Sequence, residues 1–145
     1  LGDVYKRQFG DVERASRLAL DEGVYYAHFL ILGGYGDTRE NVRETIENSR
    51  RMEYTVRFPY AGMRIYPHTR LAELAAKEGA IGRDDDLMAP SYYISRDFDL
   101  EEVRRAALAT GKAWVFPDDP QSALADTLRL KRNKKGPLWE YLRKP

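Results

Sequence analysis

Val24-Tyr-Tyr-Ala-His-Phe-Leu-Ile-Leu32, running into Gly33-Gly-Tyr-Gly-Asp37 and then into the helical pattern of Thr38 to Met52, decides the fold of this chain. The first segment is almost continuously apolar and rich in aromatic and β-branched residues. It predicts a strand with both faces covered, as in a parallel sheet flanked by helices. The glycines then predict a tight turn at the strand's carboxyl end, the position where sheets of this kind bind ligands.

The same alternation continues on either side. Asp11 is placed to cap a helix with Val12, Ala15 and Ala19 at helical spacing, and Gly23 is placed to end it. Beyond the turn, Asp37 and Glu40 have capping-box spacing, and Val42, Ile46 and Ser49 share one helix face. Thr55-Val-Arg-Phe58 and Met63-Arg-Ile-Tyr66 predict a second strand region, bent or bulged at Pro59 and Gly62. Thr69 then caps a helix with Leu71, Leu74 and Ala75 inward, as far as Gly79. The order α-β-α-β-α implies parallel crossovers.

After Gly79 the rhythm changes. Asp84-Asp-Asp86 reads as a loop, Ser91-Tyr-Tyr-Ile-Ser95 as a short strand, and Asp99 with Glu102 as the box of a helix reaching Gly111. Trp114-Val-Phe116 is a short apolar segment. Ser122 is placed to cap a further helix with Leu124 and Leu128, ahead of the basic run Lys131-Arg-Asn-Lys-Lys135.

The 145 residues include 24 Lys and Arg against 23 Asp and Glu, so no overall field attracts nucleic acid or a membrane surface. The basic run stands apart from Trp139 and Tyr141, without the interleaving that base stacking requires, and no nucleic-acid partner is expected. There is no cysteine. That removes disulfides and thiolate ligands and suits a reducing, cytoplasmic setting. No apolar run reaches the ~20 residues of a membrane span. Asp3-Val-Tyr-Lys-Arg-Gln8 looks like the translation of a transposon end used in preparing DNA libraries, the alternative being a genuine polar lead-in to the first helix, and residues 1–8 are read as the former. They are set aside from the fold, and the reading frame is expected to continue upstream.

Chemistry-bearing residues are few. Gly33-Gly-Tyr-Gly-Asp37 allows a ligand close to the backbone at a helix start, but it lacks a phosphate loop's Lys-Ser/Thr, and Asp37 would repel phosphate. A simple turn capped by Asp37 explains it as well. His28, mid-strand, reads as a hydrogen-bonded core residue, and His68 as a surface loop residue. Arg64 lies in an apolar strand beside Tyr66-Pro67-x-Thr69. It either faces inward toward a carboxylate ligand or outward toward a helix carboxylate.

Two of these segments carry a resemblance. His28-Phe-Leu-Ile-Leu-Gly-Gly-Tyr-Gly-Asp-Thr38 resembles the fifth strand of radical S-adenosylmethionine enzymes, which ends Gly-x-Pro-Gly-Glu-Thr. Met63-Arg-Ile-Tyr-Pro-His-Thr-Arg-Leu71 resembles the sixth, which ends Tyr-Pro-Gly-Thr-x-Leu. The Tyr-Tyr-Ile-Ser segment is similar to the tail of cobalamin-binding members. Tyr35, Asp37 and His68 stand where the family has proline, glutamate and glycine, so small differences in loop shape are expected.

The resemblance implies an α/β fold that is the C-terminal part of a partial β/α TIM-type barrel (residues 9–79), with a mostly helical C-terminal extension (80–145). It implies an enzyme in the full-length parent, cleaving S-adenosylmethionine to a 5′-deoxyadenosyl radical or transferring a methyl group through cobalamin. A small-molecule substrate and a reductant would be its partners. Leu32, Gly33, Gly34, Gly36 and Asp37 would shape the cofactor pocket, with Arg64 and Tyr66 on the neighbouring wall and no catalytic residue in this chain. The cysteines that hold the family's 4Fe-4S cluster have no counterpart here, so the chain alone is expected to be inactive. The competing expectation is a non-catalytic α/β nucleotide- or nucleic-acid-binding module.

Overall fold

In the computed structural model, which describes residues 9–82, 84–117 and 136–143, helices and strands alternate in the expected order. Helix α1 spans Phe9–Asp21, β1 Ala27–Leu32, α2 Arg39–Ser49, β2 Val56–Ala61, β3 Met63–Ile65 and α3 Arg70–Lys77. Then come β4 Ser91–Tyr93, α4 Leu100–Ala109, β5 Ala113–Trp114 and a 3-10 turn at Leu138–Leu142. The result is a mixed α/β fold whose main sheet has three parallel strands in the order β1-β2-β5, not closed into a barrel. A separate antiparallel ribbon pairs β3 with β4. The segment Ser122–Lys135 lies outside the described residues.

Residues that pair across parallel strands share a face. His28, Leu30 and Leu32 therefore lie on the face of Arg57, Pro59 and Ala61, and this is the covered face. Leu32 packs with Val42 and Ile46 of α2, Val103 and Ala107 of α4, and Trp114 and Phe116, with Leu30 and Phe98 at the margin. The other face carries Phe29, Ile31, Phe58 and Tyr60. Phe29 stacks on Phe58 (centroids 5.1 Å apart) and lies 6.2 Å from Tyr60. There Phe29 remains 67% exposed, Ile31 62% and Tyr60 40%. The expectation that both strand faces are covered is thus met on one face only: α2 and α4, the helices that reach the sheet's core, lie on it, and nothing among the described residues covers the carboxyl half of the other.

Several local expectations hold. Val42, Ile46 and Ser49 are the buried residues of α2. Gly23 follows α1 in the left-handed region (φ 67°), where a side chain would be strained. Thr69 caps α3, its hydroxyl accepting the Ala72 N–H at 3.2 Å. Asp99 caps α4, accepting from Glu101 and Glu102 N–H. Glu102, however, does not reach back to complete the box, because its carboxylate binds Arg39 (3.3 Å) and Arg43, tying α4 to α2.

Others are corrected. The first strand begins at Ala27, and Val24 and Tyr25 are exposed before it. Helix α1 already starts at Phe9, so Asp11 sits in its first turn and pairs with Arg14 at 2.5 Å instead of capping. Helix α2 ends at Ser49 and α3 at Lys77.

Pro59 does not interrupt the second strand; β2 runs through it and breaks only at Gly62 (φ 77°). Backbone direction explains this. Gly62 N–H donates to Leu32 O at 2.7 Å, so alternate β2 residues point their amides at β1, while Arg57 O, pointing the other way, accepts from Val115 N–H. Pro59 belongs to the second set. Its missing N–H would face the β5 side beyond Val56 and Arg57, the last residues β5 pairs with. The described part of residues 80–145 also contributes β4 and a strand of the main sheet alongside α4.

Candidate functional site

The two resemblance segments meet at one end of the sheet. Leu32 and Ala61 close the β1–β2 ladder in register, so the glycine turn leaves β1 beside the point where Gly62 and Met63 leave β2. Met63 turns back onto the glycines: a Cβ added to Gly34 would lie 2.8 Å from its sulfur.

The turn is held mostly from within. The Asp37 carboxylate accepts the Gly34 N–H at 3.0 Å, and Asp37 N–H returns a bond to Gly34 O at 3.1 Å. Asp37 is therefore not the helix cap. Thr38 is, with its hydroxyl accepting the Asn41 N–H and the Asn41 side chain accepting the Thr38 N–H, a reciprocal box one residue later than expected. One consequence is chemical. The amide a phosphate would use at Gly34 is already bound to a carboxylate.

Ser95 locks the turn from outside. Its N–H donates to Gly33 O at 2.8 Å and its hydroxyl to Asp37 O at 3.0 Å, so one residue fastens both ends. Phe98 lies over Gly33, whose φ is 74°, and the Tyr93 carbonyl closes on Gly62, where an added Cβ would be 2.5 Å from the oxygen. Ser95, Phe98 and Met63 were not singled out from the sequence. The available signal was weak: a turn in positive φ exposes carbonyls that need a donor, and Tyr-Tyr-Ile-Ser follows at strand spacing.

The seven expected site residues therefore separate. Leu32 is core, and Gly33 and Gly34 are buried under Phe98 and Met63. Asp37 is spent on the turn. Gly36 is open: at φ 83° it has nothing within 4 Å of an added Cβ, and Tyr35 beside it is half exposed against Tyr93. Arg64 and Tyr66 are exposed, and the guanidinium lies 4.8 Å above the Tyr66 ring. Arg64 meets neither sequence expectation, because it does not enter the interior and makes no ion pair with a helix carboxylate among the described residues. The acidic run is also absorbed locally, with Asp85 accepting from Gly82 N–H and Asp86 from Met88 N–H. Among the described residues no cluster of His, Asp and Glu is arranged to hold a metal ion, and no helix is long and apolar enough to cross a membrane.

His28 is hydrogen-bonded, as expected, but only partly buried, at the amino end of the sheet outside the core cluster. Its Nε2 lies 3.2 Å from Ser16 Oγ, but the Ser16 hydroxyl donates to Val12 O at 2.8 Å. A serine has one proton to give, so Nε2 must carry the shared hydrogen. The pair is a tether between α1 and β1, not a base and its nucleophile. Burial, with Arg57 nearby, lowers the His28 pKa to about 4 from its ordinary 6.5. Neutral His28 thus contributes fully above pH 6.5, and its contribution is lost as the pH falls toward 4, where the folded ring also protonates. For a partly accessible ring we expect a fall of about 1–2 kcal/mol across that window. Urea titrations at several pH values check it, and His28→Gln should flatten the slope. An unchanged slope would assign it to other groups.

Comparison with protein-family models, with curated proteins and with solved structures found no match to this chain.

Proposed function

We propose that this chain is the C-terminal part of a β/α barrel from a radical S-adenosylmethionine enzyme of the cobalamin-binding type, and that it contributes one wall of the cofactor pocket. The observation that carries the reading is the adjacency of the two motifs. The Gly-Gly-Tyr-Gly-Asp turn and the Met-Arg-Ile-Tyr segment leave neighbouring parallel strands at the same end, joined by the Gly62 to Leu32 hydrogen bond. The one-sided sheet agrees with it. In a barrel the helices lie outside and the opposite face lines the interior, which is how Phe29, Ile31, Phe58 and Tyr60 would then be covered.

The residues fit the implied groups unequally. A 4Fe-4S cluster needs thiolates, and this chain has none, so its own residues do not fit the cluster and no step is assigned to them through it. The adenosine part of S-adenosylmethionine can approach the backbone at Tyr35–Gly36, where space is open, but not at Gly33 or Gly34, whose space their own neighbours fill. The role of this chain is then to bind and orient: Ser95 and Asp37 hold the turn rigid and Gly36 admits the ligand.

The upstream reading frame tests this. It should encode Cys-x-x-x-Cys-x-x-Cys after a first barrel strand. Co-expression of that half should also suppress the self-association and hydrophobic-dye binding expected of the present chain alone, which exposes the apolar β1. A dye-silent, monodisperse monomer would refute the barrel reading in favour of a self-contained α/β module.

A further inference from the structure

The β3–β4 ribbon has two unlike faces. Met63 and Ile65 alternate with Arg64 along β3, and Met63 pairs with Tyr93, Ile65 with Ser91. Ile65 and Tyr93 are buried with Ala75 of α3, while Met63 turns onto Gly34. Arg64 and its cross-strand partner Tyr92 therefore occupy the other face, where both are exposed, with Tyr66 following under the guanidinium. Among the described residues Arg64 has no carboxylate or carbonyl acceptor. Its guanidinium lies over the Tyr66 ring face, which leaves its N–H edge free of protein acceptors among those residues. It is also the residue next to the one that packs on the glycine turn.

We propose that Arg64, oriented by Tyr66 and flanked by Tyr92, is an oxyanion-binding group at this end of the sheet, taking a carboxylate or phosphate carried by the substrate. This rests on the reading of the strand ends as a ligand site and adds the substrate's charge class to it. A guanidinium stacked on a ring presents two parallel donors to such a group, a geometry that an ammonium cannot reproduce.

The test uses the full chain, held below the concentration at which it self-associates, with the Tyr66 and Tyr92 ring signals followed by NMR. It is titrated separately with acetate and with inorganic phosphate, and sodium chloride balances the ionic strength. Saturable shifts of both rings are expected, the tighter anion naming the group. Arg64→Ala should abolish them, and Arg64→Lys should weaken binding by about tenfold. Shifts that stay linear in anion concentration, or that survive Arg64→Ala, would overturn the proposal. S-adenosylhomocysteine, followed at the Gly36 amide in the chain co-expressed with its upstream half, is a separate arm. Its failure with anion binding intact would count against the cofactor reading alone, and the converse against the oxyanion group alone.

Discussion

Replacing Arg57 with methionine is expected to remove about 3–5 kcal/mol of stability, enough to leave much of the chain unfolded. Arg57 is fully buried in the middle strand and has no carboxylate partner among the described residues. Its guanidinium instead gathers carbonyls: Nε and Nη2 donate to Ser49 O at 3.2 and 2.5 Å, Nη2 also to Met52 O, and Nη1 to Thr55 O at 3.3 Å. Ser49 ends α2, so the cation sits at the negative pole of that helix and joins the Met52 N–H as a donor to its last carbonyl. Burial lowers its pKa to about 10, which keeps it charged at neutral pH. Methionine would fill similar space but withdraw the donors from Met52 O and Thr55 O and leave Ser49 O with the Met52 N–H alone (3.2 Å), at about 1–3 kcal/mol for each acceptor left unsatisfied. Lysine should recover only part of the loss, since one ammonium cannot span them. Urea unfolding measures the difference, with exposed Arg51→Met as the control. A loss below about 1 kcal/mol would mean that water satisfies these carbonyls.

The second large effect is expected at Gly33. Alanine there meets two obstacles, a φ of 74° and the Phe98 ring, with Cδ2 only 2.5 Å from the added carbon and Cγ closer still. Strain of about 1 kcal/mol and overpacking of about 1–3 kcal/mol add to a loss near 3 kcal/mol. Gly36→Ala is the informative comparison. It carries similar backbone strain without any clash, so about 1 kcal/mol is expected. Equal losses at the two positions would show that Phe98 yields freely and that packing is not what demands the glycine.

The sequence was most readable where one element explains a residue by itself. The buried stripe of α2, the cap at Thr69 and the stop at Gly23 are local consequences of helix geometry. His68 belongs with them. It occupies φ 60° where the family resemblance has glycine, so the turn keeps a left-handed residue and the substituted side chain bears the strain.

Reading failed where a residue answers to partners distant in the chain. Asp37 has the composition of a cap, but the open Gly34 amide competes for its carboxylate, and Thr38 takes the helix. Pro59 signals a break in any strand, and only the short reach of β5 makes it harmless. The one-sided cover of β1 was illegible because apolar composition states that a face must be buried, not by what.

Ser95 has a bearing on the order of events in synthesis. It secures the Asp37 carbonyl from 58 residues further along the chain, and β5, which completes the sheet beside β2, follows later still. A ribosome releases β1, the glycine turn and β2 well before either. Until then the turn has only Asp37 and the Met63 side chain to shape it, and β2 has one open side. The final geometry of the turn at Gly36 should therefore appear late, after the α4 region has emerged, and refolding probes placed at Gly36 should lag those placed on the β1–β2 pair.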